Sequence, residues 1–355
     1  MRALRLNAWK SEAHLEDVPR PEPEAGQVVV QVGGAGACHS DLHLMHDFEA
    51  GVLPWKPPFT LGHENAGWVH SVGGDVRGIE VGQPVAVVGA WGCGRCARCR
   101  AGLETYCEDP ASAPVPGGGG LGLDGGMADF LLVPDARHLV PLPDGLSPSS
   151  AAPLTDAALT PYHAVRRSLD KLAPDSTAVV IGAGGLGHMA VQVLSAVTAV
   201  RVVAVDPKAE ARALAEASGA HVVLAPGPDL VDRIRDLTQG RGADVVLDMV
   251  GSDETLAAGA ACVRQLGDLT IVGIAGGTLP VSFFALPYEA SVQTTYWGNR
   301  AELVEVLDLA GRGLLRPEIT TFPIEEAAAA YAGLATGDIA GRAVITPFTE
   351  YDPDA

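Results

Sequence analysis

The stretch VVIGAGGLGHMA, residues 179–190, decides the fold. An apolar, β-branched run ends at Gly182, and Gly182, Gly184 and Gly187 stand in G-x-G-x-x-G register with Gly185 between them. Leu186, Met189, Ala190, Val193, Leu194 and Val197 then recur at helical spacing. A strand, a glycine turn and a helix in that order let a pyrophosphate approach the backbone at the helix N-terminus. Gly182 permits the tight turn, Gly184 leaves room for the phosphates, and Gly187 lets helix and strand pack closely. Asp206 ends the next apolar run, 19 residues after Gly187, where a carboxylate accepts from ribose hydroxyls and repels a 2′-phosphate. The pattern predicts NAD rather than NADP, although Lys208 and Arg212 stand close enough in sequence to meet a phosphate.

Working outward, apolar runs alternate with helical stretches from residue 177 onward: TAVVI (177–181), RVVAVD (201–206), HVVLA (221–225), DVVLDMV (244–250), LTIVGI (269–274) and SVQTTY (291–296). Uniformly apolar strands imply a sheet covered on both faces, so a doubly wound, six-stranded parallel sheet of Rossmann type is expected over residues 155–296. The first 154 residues read differently. Short alternating runs such as QVVVQV (27–32), GWVHSV (67–72), QPVAVV (83–88) and MADFLLV (127–133), punctuated by Gly and Pro, predict a mostly antiparallel β domain. After Tyr296 come two helical stretches and a last strand, RAVITPF (342–348), too little for a domain of its own. Residues 297–355 are therefore expected to return to the first domain. PVPGGGGLGLDGG (114–126) reads as a flexible loop.

Bulk properties narrow the function. The 355-residue chain carries a net charge of −19 and has only four lysines, at 10, 56, 171 and 208. An acidic surface repels phosphate backbones, which argues against nucleic acid as a partner. No run of about 18 uncharged apolar residues is present, and the start lacks a signal-peptide core, so a cytoplasmic protein is expected. In a reducing compartment cysteines serve as ligands or buried spares. GCGRCARCRAGLETYC places Cys93, Cys96, Cys99 and Cys107 in C-x₂-C-x₂-C-x₇-C spacing. Four thiolates in one loop (about 92–108) close a tetrahedral zinc site with no open position, which makes it structural. Arg95, Arg98 and Arg100 are expected to offset its negative charge. Cys262, in an apolar helical stretch, reads as a spare.

Cys38 opens CHSDLHLMH (38–46), and His63 lies in LGHENAG (61–67). Each also fits a plain structural role: Cys38 as core, His63 as a turn residue, Ser40 as a cap and His43 on the surface. Together, in this order and spacing, CHSDLH, GHE, the four-cysteine lobe, GAGGLG with Asp206 and the closing GRAVI resemble the zinc-dependent alcohol dehydrogenases of the medium-chain dehydrogenase/reductase superfamily. The resemblance covers essentially the whole chain. Within that superfamily, APLTDAALTPYHA (152–164) and YWGNR (296–300) are most similar to bacterial NAD-dependent secondary alcohol dehydrogenases.

The resemblance implies a GroES-like fold for the first domain and two zinc ions per chain, one catalytic and one structural. It implies a catalytic zinc held by Cys38, His63 and a third residue. Many relatives have a cysteine at that third position, and here it is Asp156. One thiolate, one imidazole and one carboxylate carry the same charge as two thiolates and one imidazole, so the exchange is permissible. The competing role for Asp156 is a helix cap. Thr160–Pro161 looks like the better helix start, with Thr at N-cap and Pro at N1. Glu64 is the alternative third ligand, and Asp41 is expected to fix the His63 ring.

By the same resemblance Ser40 takes the hydroxyl proton and passes it through the cofactor ribose to His43. His39 meets the pyrophosphate; Thr160, Leu186, Val272 and Ile274 line nicotinamide or adenosine; and Arg342 contacts a phosphate. Ala211 departs from the basic residue that many relatives carry near the adenosine ribose. Trp55, Leu121, Tyr296 and Trp297 are the pocket candidates, and their apolar bulk favours a small hydrophobic secondary alcohol or ketone. The competing readings are a polyol dehydrogenase and a zinc-less NAD(P)H reductase or nucleotide-binding relative. A homodimer or homotetramer, paired through the strand near 291–296, is implied as well.

Overall fold

The computed structural model describes residues 1–112 and 117–355. The chain divides into two compact units. One comprises Met1–Leu159, Trp297–Arg312 and Pro317–Ala355; the other comprises Thr160–Tyr296 with Gly313–Arg316. The first crossing falls after Leu159, so Asp156 folds with the first unit.

The first unit begins with β1 (Arg2–Leu6), β2 (His14–Asp17), β3 (Val28–Ala37), β4 (Phe59–Thr60), β5 (Glu64–Val72), β6 (Pro84–Val87), β7 (Phe130–Val133) and β8 (Leu139–Pro141). β2, β1 and β4 make a small antiparallel sheet. β3 is buried along its whole length because β5 and β7 flank it and the core covers it. Val28, Val30, Val32, Val69, Val85, Val87, Leu131 and Val133 meet there with almost no exposure. Full burial of such a side chain contributes about 1.5–3 kcal/mol.

The second unit carries β9 (Thr177–Ile181), β10 (Arg201–Val205), β11 (Val222–Leu224), β12 (Ala243–Asp248), β13 (Val263–Ile271) and β14 (Ser291–Thr294). All neighbours are parallel, in the order β11-β10-β9-β12-β13-β14. Read from the first strand of the unit, this is the 3-2-1-4-5-6 order of a dinucleotide-binding sheet, with its switch point between β9 and β12. β13 starts at Val263, before the expected LTIVGI run, because the helix Asp253–Cys262 stops at Cys262 and the chain extends at once. Cys262 is buried, as expected of a spare.

The closing segment adds the helix Arg300–Gly311, then β15 (Ile319–Phe322), the helix Ala327–Thr336 and β16 (Arg342–Ile345). β15 is a strand that the sequence reading did not contain. Its half-exposed ITTF pattern shows little apolar alternation, and its pairing with β16 forms it. β16 lies antiparallel to β3, which puts the chain end in the large mixed sheet ordered β15-β16-β3-β5-β6-β8, with β7 also on β3.

The glycine-rich stretch corrects the flexible-loop expectation where it is described. Residues 114–116 lie outside the described residues. From Gly117 on, the backbone is packed: Gly125, Gly126 and Met127 donate to Thr60, Gly62 and Leu61 carbonyls at 2.9 Å each. A Cβ on Gly125 would come within 2.2 Å of the Gly62 oxygen. Glycine stands there because two backbones touch.

Candidate metal and cofactor sites

β3 delivers the chain to Cys38, which is the N-cap of the helix His39–His46 in extended conformation. Asp41, at the third position of that helix, turns back and accepts from the Cys38 N–H at 3.0 Å. The helix buries Asp41, Leu44 and Met45 and leaves Ser40 and His43 half-exposed. Ser40 and His43 are three residues apart and so share a face. His63 and Glu64 come from the start of β5, across from Gly36 on β3. Asp156 arrives on a 3₁₀ turn, Ala152–Thr155, that it terminates.

These segments bring Cys38, His63, Glu64 and Asp156 together, one ligand atom from each lying within 4.8 Å of the others. His63 Nδ1 lies 3.2 Å from Asp41 Oδ1, an ion-pair contact on the side away from the cluster. Its Nε2 faces Asp156 Oδ2 at 3.7 Å and the Ser40 hydroxyl at 3.3 Å. The edge of a zinc tetrahedron with mixed N, O and S ligands is about 3.5 Å. The donor set therefore suits a zinc ion in chemistry and in spacing. Buried Glu64 Oε2 also lacks a hydrogen-bond partner among the described residues.

The electrostatics reflect crowded anions. Burial pushes the Cys38 thiol up, but the Arg342 guanidinium and the His63 hydrogen bond outweigh it and bring the thiol to about 7. Burial works against a charged His63, yet Asp41, Asp156 and Cys38 together raise it well above its usual value. Glu64 is raised well above the carboxylate range, first by burial, with Arg342 opposing and Cys38 and Asp156 adding to it. Arg342, 2% exposed, is directed to Glu64. Its guanidinium faces the cluster. Gly36 makes room for this pair, since a Cβ there would stand 2.1 Å from Glu64 Oε2.

Trp297 packs its ring edge-on to His63 at 5.8 Å. Its indole donates to the Thr155 carbonyl at 3.0 Å, beside Asp156, and its φ of 55° lies in the left-handed region. Trp297 thus holds the turn that presents Asp156. Trp55 and Leu121 meet around Gly117 and Gly122 and pack on the core of the first unit. Tyr296 belongs to the second unit and is half-exposed. His43 Nδ1 pairs with Asp47.

One expectation about the opening of the next helix is corrected. The helix spans Leu159–Arg166, so Thr160 and Pro161 lie inside its first turn and Thr160 is not its N-cap. Asp156 still stands outside that helix.

The four cysteines also converge, with each Sγ within 4.8 Å of the rest. Cys96 is lowered to about 6, mainly by the Cys99 N–H that it accepts at 3.4 Å. Burial pushes Cys99 up to about 12. A cation is what would let all four ionise together. Arg95 and Arg98 pair with Asp109 and Glu108, and Arg95 is also held charged by Cys93 and Cys107 nearby. Glu104 ties the lobe to the sheet. It accepts from Gly92 N–H at 2.8 Å and Arg137 Nε at 3.0 Å, and it meets buried His138 Nε2 at 2.8 Å. All six cysteines are free thiols.

In the second unit the glycines behave as their motif positions demand. Gly182 has a φ of 85°, Gly184 faces open space, and a Cβ on Gly187 would stand 1.8 Å from the Gly182 oxygen. Gly185 and Leu186 complete the turn into the helix Gly187–Val197. Asp206, just past β10, is 8% exposed and accepts from the N–H groups of Ala183 (2.8 Å) and Lys208 (2.9 Å). Arg212 Nη1 donates to the Asp206 and Pro207 carbonyls, which commits it to the backbone. Thr160 and Val272 are buried, Ile274 is 60% exposed, and His39 is exposed.

Three roles are not legible in the sequence: Arg342 facing Glu64, Trp297 holding the Thr155 carbonyl, and Tyr331, whose hydroxyl donates to Asp41 at 2.9 Å. Each acts across a large sequence separation, so no local spacing could reveal it.

Comparison with known proteins gives a consistent picture. The alcohol dehydrogenase GroES-like domain family matches residues 24–144, and the zinc-binding dehydrogenase family matches residues 185–312. An NAD-dependent alcohol dehydrogenase of Sulfurisphaera tokodaii is 37% identical, over 98% of this chain and 100% of the relative. A D-arabinose 1-dehydrogenase (NADP(+)) of Saccharolobus solfataricus is 32% identical, over 98% and 97%. The crystal structure of the alcohol dehydrogenase from Aeropyrum pernix superposes with a TM-score of 0.90 at 37% identity, covering 98% of this chain and 100% of that one.

Proposed function

Because the chain belongs to the zinc-type alcohol dehydrogenases of the medium-chain dehydrogenase/reductase superfamily, we propose that it interconverts small secondary alcohols and ketones with NAD(H), using two zinc ions per chain. The observation that carries this reading is the convergence of Cys38, His63, Glu64 and Asp156 beside the Ser40 hydroxyl. Cys38, His63 and Asp156 are the proposed ligands of the catalytic zinc, with Glu64 as the alternative. Cys93, Cys96, Cys99 and Cys107 are the proposed structural ligands.

Zinc, when bound, supplies Lewis acidity that lowers the pKa of the substrate hydroxyl, and NAD supplies the hydride acceptor. Everything else falls to the chain. Asp41 holds the His63 ring with Nδ1 turned away from the cluster. Ser40 accepts the hydroxyl proton, and His43, on the same helix face and polarised by Asp47, carries it toward water. Arg342 keeps Glu64 paired, while Asp156 Oδ2 faces His63 Nε2 within the cluster. Trp297 excludes water from the His63 edge, and Trp55 and Leu121 offer apolar walls to an alkyl substituent. Tyr296 is proposed as a further substrate contact.

The dinucleotide is proposed to lie along Gly182, Gly184, Gly185, Leu186 and Gly187. Asp206 would take its ribose hydroxyls. Thr160, Val272 and Ile274 would face its rings, and His39 its phosphates. Arg212 is committed to carbonyls, which leaves Lys208 as the cation beside Asp206. Among the described residues no helix is long and apolar enough to cross a membrane. The free thiols suit a reducing compartment, so a cytoplasmic location is proposed. Edge strand β14, with Phe283, Phe284 and Tyr288 exposed, is the proposed surface for self-association.

The kinship with a D-arabinose dehydrogenase keeps a sugar or polyol substrate as the second reading. The test is reduced-cofactor formation from 2-alkanols, glucitol and D-arabinose, each with NAD and with NADP. Faster turnover of 2-alkanols with NAD is expected. Preference for the sugars, or for NADP, would overturn the reading.

A further inference from the structure

We propose that Tyr331 is a positioning residue for the metal cluster: through Asp41 it fixes the His63 ring so that Nε2 faces the cation. The proposal deepens the reading above and rests on the cluster holding zinc. Asp41 is fully buried and touches two members of the cluster at once. Its Oδ2 accepts from the Cys38 N–H at 3.0 Å, and its Oδ1 lies 3.2 Å from His63 Nδ1. The terminal torsion of an aspartate is broad, so one N–H on Oδ2 leaves the carboxylate free to rotate. The Tyr331 hydroxyl supplies the second donor on that same oxygen, at 2.9 Å. Two donors on Oδ2 hold Oδ1 toward the imidazole, at the 3.2 Å ion-pair distance from Nδ1.

The second donor comes from far away. Tyr331 sits on the helix Ala327–Thr336, 290 residues beyond Asp41, in the alanine-rich sequence AAAAYAGLAT. The side chain is buried, and its hydroxyl also lies against Met127 Sδ. Packing alone would be served by phenylalanine. A buried phenol without a strong acceptor is destabilising, and Asp41 is that acceptor. The C-terminal helix therefore reaches the cluster without contributing a ligand.

The experiment follows zinc release from the holoenzyme to a chromogenic chelator, with the four-cysteine zinc in the same chain as internal reference. Tyr331→Phe should release the cluster zinc about tenfold faster, as loss of an outer hydrogen bond to a metal site does, and leave release of the cysteine zinc unchanged. Asp41→Ala should release it faster still, and Tyr331→Phe should add nothing in that background. Met127→Leu, which keeps the hydroxyl, should release zinc as the wild type does. Equal release from wild type and Tyr331→Phe would overturn the proposal, as would an undiminished Tyr331→Phe effect on top of Asp41→Ala, or acceleration by Met127→Leu alone. One zinc per wild-type chain, held by the cysteines, would overturn it together with the reading on which it rests.

Discussion

The two ligand clusters solve one problem in opposite ways. The cysteine lobe takes four identical donors from residues 93–107, partly exposed, closed by backbone N–H groups of its own turns. The second cluster takes unlike donors from positions 38, 63, 64 and 156, and only Asp156 keeps appreciable exposure. A short loop can fold around an ion and gain stability from it, whereas a site assembled from distant strands needs the fold first. Closure suits structure. Mixed donors with a hydroxyl alongside suit chemistry. The lobe should therefore govern stability and the mixed cluster turnover.

The largest expected effect breaks that division at its catalytic end. Asp156→Ala should lower kcat by at least about 10³-fold, a loss of several kcal/mol of transition-state stabilisation. Its thermal midpoint should stay near that of the wild type. Steady-state kinetics and a melting curve on the same preparation check both halves, and retained activity would reject Asp156 as a ligand. Cys107→Ser is the mirror experiment. It should cost several kcal/mol of stability, lowering the midpoint by about 5–10 °C. The folded fraction, assayed at low temperature, should keep most of its kcat.

A smaller effect sharpens the comparison through pH. Burial would raise the Glu104 carboxyl, but His138, Arg137 and the Gly92 N–H hold it down at about 2. Its folded pKa lies below the unfolded value of about 4.3. The stability it contributes is thus fully present above that value and is lost as pH falls toward about 2. Glu104→Gln should be less stable than the wild type by about 1–3 kcal/mol at pH 7. In urea unfolding the gap should close between pH about 4 and about 2. A gap independent of pH would mean that packing, not charge, anchors the lobe.

The same contrast explains what the sequence made legible. The cysteine spacing and the glycine turn are local, so their donors and their φ requirements could be read directly. Gly182 and Gly187 behave as their motif positions demand. The six parallel strands followed from apolar runs of the right length. What stayed hidden depends on contacts between distant segments. Glu64 and Arg342 meet across 278 residues, and the Tyr331 hydroxyl finds Asp41 across 290. β15 exists because β16 pairs with it, and the glycine-rich stretch from Gly117 is fixed by the Thr60–Gly62 backbone. The helix opening at Leu159 rather than after Thr160 is a smaller case of the same kind, with burial of Ala157, Ala158 and Leu159 drawing the turn earlier than its Thr-Pro signal.

The most direct test of the two-cluster account is metal analysis of the purified chain and of Asp156→Ala by mass spectrometry. About two zinc ions per wild-type chain and about one in the variant are expected, with the cysteine site still filled. One zinc in both proteins, or two in both, would contradict it.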